Sequence, residues 1–257
     1  MPFRVAIISG ASRGIGRAIA EEFARTRTAL ALVARDESEL QIVADSARAF
    51  GAPSVISIPA DLSDPGAPAN VVRQVIASHK QVDILVNCAG DTRRGDFLHL
   101  QDEDFRMGFE VKFHAAVRFC RAAWPHLEAT SGCIVNIAGV TAHTPEPDFT
   151  IGGPVNSALI NFTKALAKRA RDSGIRINTI CPGHIATGRL HKRIQTLSQS
   201  RKISLDEATE QLRTNLGIRR FGHAAEIARV ASFLCSDQGA YVHGEAINVD
   251  GGATPGI

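Results

Sequence analysis

Ser9-Gly10-Ala11-Ser12-Arg13-Gly14-Ile15-Gly16 decides how the rest of this 257-residue chain is read. The octet follows an apolar run over residues 3–8 and opens a helical pattern in which Ile15, Ala18, Ile19 and Phe23 share a face. That is a strand, a glycine turn and a helix. At Gly10, Gly14 and Gly16 the missing side chains let backbone approach a diphosphate, and the free N–H groups and dipole of the helix N-terminus meet its charge. Three glycines alone also make an ordinary tight turn. A strand before them and a helix after them are what a dinucleotide site requires.

Working outward, the same alternation continues along the chain. Strand patterns recur over residues 28–34, 54–59, 83–86, 133–138, 175–180 and 246–249. Helical patterns fall over residues 37–50, 71–79, 105–126, 154–171 and 225–234. This predicts an α/β fold, a doubly wound parallel sheet of Rossmann type with helices on both faces. The length suits one such domain over residues 1–257. A composition of 44% hydrophobic and 21% charged residues is that of a globular protein. The net charge of +3 comes from scattered basic residues and argues against nucleic acid as the main partner. Five cysteines without paired spacing point to a reducing compartment. The first strand begins next to Met1, leaving no room for a signal peptide, and no apolar run reaches the length of a membrane span. A cytoplasmic protein without a membrane partner is expected. The nine histidines show no ligand spacing, so no metal is expected.

Further motifs fall in order behind the octet: Asn87-Cys88-Ala89-Gly90, then Pro182-Gly183 with Ile185 and Thr187, then Asp250-Gly251-Gly252. With these the chain resembles the short-chain dehydrogenase/reductase family over its whole length, nearest in character to the 3-oxoacyl carrier-protein reductases. The resemblance implies an NAD(P) cofactor held by Gly10, Ser12, Arg13, Gly14, Ile15 and Gly16, with Asp61 and Leu62 at the adenine. It implies that Asn87, Ala89, Gly90, Pro182, Gly183, Ile185 and Thr187 line the rest of the cofactor. It also implies a small-molecule substrate, a substrate lid at about 187–215, and a homotetramer or homodimer.

The cofactor's phosphate can be argued physically. An NAD site places a carboxylate about 20 residues past the glycines, on the ribose hydroxyls. Here the end of the second strand is Ala34, followed by Arg35, and Arg13 lies inside the glycine loop. Two guanidiniums and no carboxylate suit a 2′-phosphate, so NADP(H) is favoured over NAD(H). The alternative is a solvated Arg35 with Asp36 on the ribose.

At the catalytic positions the sequence departs from the family. The family works with an Asn, a Ser, and a Tyr and Lys spaced by three. Lys112, Gly139, Gly152 and Asn156 stand in those four places. The only tyrosine, Tyr241, lies in a C-terminal stretch that reads as structural. Proton transfer by a positioned group is worth roughly 100- to 10,000-fold, so something must replace the pair or turnover is lost. Lys112 falls within an apolar helical stripe of Phe105, Phe109, Ala116, Phe119 and Ala123, either snorkelling or held for a purpose, and burial would tune its pKa. A helix starting at Pro154 would leave the N–H groups of Gly152 and Gly153 ahead of it, as oxyanion donors or as a turn filling the tyrosine's space. His143, Glu146 and Asp148 offer other proton donors or are plain loop charges. Cys88 reads as a small buried filler rather than a nucleophile. The lid is basic (Arg189, His191, Lys192, Arg193, Arg201, Lys202). That is explained by a solvated face or by an anionic or thioester handle such as coenzyme A or a carrier-protein phosphate. Two functions follow: an NADP(H)-dependent oxidoreductase with a rebuilt acid site, or a silent NADP(H)-binding sensor or partner subunit.

Overall fold

Val5–Ser9 (β1) is buried along its whole length. A strand of Val, Ala and Ile with nothing polar before its last residue has to be covered on both faces, which is the condition of a parallel sheet between helix layers. In the computed structural model, which describes residues 3–255, β1 lies inside a seven-stranded parallel sheet. The other strands are Ala29–Ala34 (β2), Val55–Pro59 (β3), Ile84–Asn87 (β4), Cys133–Ile137 (β5), Arg176–Pro182 (β6) and Ala246–Val249 (β7). Their spatial order is β3-β2-β1-β4-β5-β6-β7, with Ile8 set between Leu32 and Val86. The strand order reverses between β1 and β4, so a crevice opens there at the carboxyl ends of the strands.

The period-two alternation of each strand divides the core. Ala6, Ile8, Leu30, Leu32 and Val135 face a layer made by Gly14–Arg25 (α1), Glu37–Ala49 (α2) and Ala224–Cys235 (α9). Val5, Ile7, Ala31, Leu85 and Ile134 face Ala67–His79 (α3), Ala115–Ala129 (α5) and Gly152–Arg169 (α6). Phe23 of α1 and Phe119 of α5 are fully buried anchors of the two layers, each worth about 1.5–3 kcal/mol of burial. The helix that opens at the glycine turn packs directly on α9.

Several boundaries differ from the sequence expectation, for identifiable reasons. The third helix begins at Ala67 rather than 71, because Pro68 fits a first turn where a missing N–H costs nothing. The helix expected from 154 begins at Gly152. Pro154 is only its third residue, in the first turn, where a missing N–H breaks no intrahelical bond, and so does not set the start. The long helix over 105–126 is three segments. Asp102–Phe109 (α4) is opened by a capping box of Gln101 and Asp104; a π-helical turn follows over Glu110–His114, and then α5. The lid segment folds as Gly188–Arg201 (α7) and Leu205–Asn215 (α8), closed on a small cluster of Leu190, Ile194, Ala208 and Leu212. Tyr241, in the stretch read as structural, is fully exposed and fills no core position. Among the described residues no helix is long and apolar enough to cross a membrane.

Candidate active site

The turns that follow β1, β4, β5 and β6 meet in the crevice. Gly10 and Gly14 hold φ of +69° and +58°. A Cβ on Gly10 would stand 2.8 Å from Ala89 Cα, and one on Gly16 would collide with the Gly10 carbonyl oxygen. Only glycine lets the two turns close to this distance. Ser9 Oγ locks them by accepting from the Cys88 and Ala89 N–H groups at 3.0 and 3.1 Å. Arg13 is the N-cap of α1 and gives it no side-chain cap, so the first-turn N–H groups stay open to an anion. Thr187 hangs over this point, its Cγ2 3.6 Å from where a Cβ of Gly14 would stand. A glycine cradle above an uncapped helix start fits a diphosphate.

Arg13, in the turn after β1, and Arg35, next after β2, are both exposed, and Arg35 reaches 3.8 Å from Asp91. Asp36 is spent on its own helix. Its carboxylate accepts from Ser38 Oγ at 2.7 Å and from the Glu39 N–H at 3.1 Å, capping α2, and these bonds hold its pKa below the usual value. Asp61 likewise accepts from the Ser63 N–H and hydroxyl, and Leu62 beside it is buried. Asn87 is turned inward: its Nδ2 donates to Asn136 Oδ1 at 2.8 Å and ties β4 to β5. Gly183 gives room to Asp250, whose Cβ would sit 2.6 Å from a Cβ placed there. Pro182 and Ile185 are buried beside it.

Lys112 lies in the π-helical turn, and that extra residue in the helix aims it into the crevice. Its stem passes Gly90, where a Cβ would meet Lys112 Cδ at 3.0 Å, and its Nζ donates to the Ala138 carbonyl at 3.1 Å. The residue as a whole is half-buried. Loss of water around the ammonium, then the Arg189 charge, draws its pKa down to about 8. Asn156 is 3% exposed; its Nδ2 donates to Thr141 Oγ1 at 2.9 Å and would touch any Cβ on Gly139. Asn156 Oδ1 is buried with no partner. The structure thus brings Lys112, Gly139 and Asn156 around one end of β5.

Gly152 is different. It lies in the first turn of α6 beneath the Phe149 ring, which occupies the place where a side chain at 152 would begin. The Gly153 N–H donates to the Phe149 carbonyl at 3.2 Å. Both glycines are buried, and the Gly153 N–H is spent on that carbonyl rather than open as an oxyanion donor. The loop acids are also committed. Arg94 Nη1 donates to Glu146 and Asp148, each at 2.6 Å, and Arg193 Nη2 donates to Glu146 at 2.6 Å. Burial pushes the Glu146 carboxyl up, but His184 and the Arg193 and Arg94 guanidiniums outweigh it and hold the group at about 2. Such a carboxylate is no proton donor near neutral pH. Burial also raises the Cys88 thiol to about 11, which leaves it inert.

Sequence reasoning missed Phe149, Thr141 and the Arg94–Glu146–Arg193 network. Glu146 and Arg193 of that network line a cavity of about 360 Å³ together with Val140, His184 and Leu216. Phe149 lies three residues before Gly152, and an aromatic at that spacing from a missing tyrosine is the one signal that could have found it.

Residues 10–254 match a family model described as enoyl-(acyl carrier protein) reductase. The chain is 29% identical over 259 residues to the NADPH-dependent reductase BacG of Bacillus subtilis, covering the whole of both. It is 31% identical to the 3-oxoacyl-[acyl-carrier-protein] reductase FabG of Escherichia coli, over 97% of this chain and 96% of that protein. Among solved structures, L-sorbose reductase from Gluconobacter frateurii, complexed with NADPH and L-sorbose, superposes with a TM-score of 0.94. It is 33% identical over 99% of this chain and 98% of that one.

Proposed function

The chain belongs to the short-chain dehydrogenase/reductase family, and from that premise we propose that it is an NADP(H)-dependent oxidoreductase of carbonyl or alcohol groups in which Lys112 handles the proton. The observation that carries this reading is Lys112 itself, an amine held against the Ala138 carbonyl beside Gly90 with its pKa near 8. A general acid or base works best when its pKa lies near the working pH.

The preference for NADP(H) is supported by Arg13 and Arg35, exposed where a 2′-phosphate would lie, and by the loss of Asp36 to helix capping. The NADPH in the descriptions of BacG and L-sorbose reductase agrees with it. When bound, the nicotinamide gives hydride to the substrate carbon or takes it back. Lys112 Nζ delivers its proton to the carbonyl oxygen in reduction and, as the neutral amine, accepts the hydroxyl proton in oxidation. The buried, unpartnered Asn156 Oδ1 offers an acceptor to a ribose hydroxyl, a neutral counterpart of the family's lysine.

The test is NADPH oxidation by the purified protein over ketones, quinones and 3-oxoacyl thioesters, with Lys112→Ala and direct cofactor binding alongside. Turnover lost in the variant supports the reading; turnover unchanged removes Lys112 from the chemistry. Cofactor binding without turnover of any substrate supports a silent NADP(H)-binding sensor or partner subunit instead. That second reading is favoured by the Phe149 ring, which fills the tyrosine's place.

A further inference from the structure

Arg189 is the second residue of α7 and is exposed, yet its Nη2 reaches across the crevice to donate to the Gly90 carbonyl at 2.8 Å. Gly90 ends the turn after β4, whereas Thr187, two residues before Arg189, stands over Gly14 at the open start of α1. The side chain therefore bridges the two lips of the crevice above the diphosphate cradle. Its chemistry there is unbalanced. Arg193, one turn further along α7, is paired with Glu146, while among the described residues Arg189 has no carboxylate partner and makes this one hydrogen bond. Four of its five N–H donors remain unspent.

We propose that Arg189 is a cofactor-binding residue, whose guanidinium grips the diphosphate of the bound dinucleotide and closes α7 over it. The inference rests on the reading that the chain binds NADP(H). A planar guanidinium matches phosphate oxygens bidentately, and the α1 N-terminus already favours an anion beneath it.

The position has a consequence for Lys112. The groups that shift this amine are Arg189 on α7, Cys88 on the turn after β4, and Cys181 on β6. Burial raises both thiols to about 11, so they stay neutral when the amine titrates. Arg189 is then the one fixed charge acting on Lys112 among them, and it disfavours the ammonium. A diphosphate paired with Arg189 cancels that repulsion, so cofactor binding raises the affinity of Lys112 for its proton. The acid is charged as the cofactor arrives.

The experiment is calorimetric titration of the wild type, Arg189→Met and Arg189→Lys, at pH 8.5 in two buffers of different ionisation enthalpy. The ligands are NADPH and adenosine 2′,5′-bisphosphate, which keeps the 2′-phosphate and lacks the diphosphate bridge. Wild type is expected to bind both and to take up protons with NADPH only. Arg189→Met should lose about 10- to 100-fold in NADPH affinity, the equivalent of one charge-assisted contact. Its bisphosphate affinity should be unchanged, which also shows that the variant is folded. Arg189→Lys should fall between the two. Equal NADPH affinity in wild type and Arg189→Met, or equal losses for both ligands, overturns the proposal. If wild type binds neither ligand, the NADP(H) reading fails and this inference with it.

Discussion

Replacing Lys112 with methionine, which keeps the stem and removes the amine, separates the electrostatic cost of this residue from its packing. Lys112 falls from its ordinary 10.5 to about 8 on folding. Its folded value is lowered, so the unfolded chain binds more protons between the two values and stability rises with pH across that window. The two values give a gain of about 1.3 kcal/mol from pH 7 to pH 9 for this group alone, as the folded amine gives up its proton while the unfolded one keeps it. Urea unfolding of wild type and Lys112→Met at both pH values measures it. The difference between the two proteins should move by about 1.3 kcal/mol in favour of wild type as pH rises. Contributions that do not titrate, such as the lost bond to the Ala138 carbonyl, cancel in that comparison. A pH-independent difference would show that Lys112 is solvated when folded, and the argument for a tuned amine would go with it.

Three further outcomes follow from the same geometry. In the reducing direction, kcat/KM for NADPH, which reports the free protein, should fall as pH rises through about 8, and Lys112→Arg, with a group that never titrates in this range, should lose that limb of the pH–rate profile. Arg35→Ala should weaken NADPH about 10- to 100-fold while leaving NADH affinity within twofold, as read by nucleotide fluorescence titration; equal losses would place Arg35 away from the 2′-phosphate. Gly152→Tyr should destabilise the protein in thermal unfolding because the Phe149 ring already holds that space, whereas Gly152→Tyr with Phe149→Ala should recover most of the loss.

The fold was legible because its signals are local. The octet at 9–16 reads as strand, turn and helix from adjacent residues, and the alternation behind it needs only hydrophobic period. The positions expected to hold a cofactor, on the turns after β1, β4 and β6, carry short motifs of their own. The resemblance set Lys112, Gly139, Gly152 and Asn156 at the family's four catalytic places. What surrounds these residues was not legible. The partner of Lys112 is a carbonyl 26 residues away, reached through a π-helical turn that no periodicity announces. Glu146 looked like a free loop acid because Arg94 and Arg193 lie 52 and 47 residues from it in sequence. Residue type alone cannot show that a carboxylate is already spent. The bond from the Asn87 amide to Asn136 inside the sheet was hidden for the same reason, its partner lying 49 residues away.

The packing of α1 on α9 has a temporal meaning. The helix whose N-terminus would meet a diphosphate is complete by residue 25, but part of its apolar face is covered by residues 224–235. During synthesis the part of that face that packs on α9 lacks its native cover until the ribosome has added about two hundred more residues. Contacts of such sequence separation form late and slowly. A nascent chain therefore carries the nucleotide motif long before it can use it, with Ile19 and Phe23 open to chaperones or to other chains. Substitutions in α9, far from any ligand, should accordingly reduce the yield of nucleotide-competent protein more than they change the affinity of the molecules that do fold.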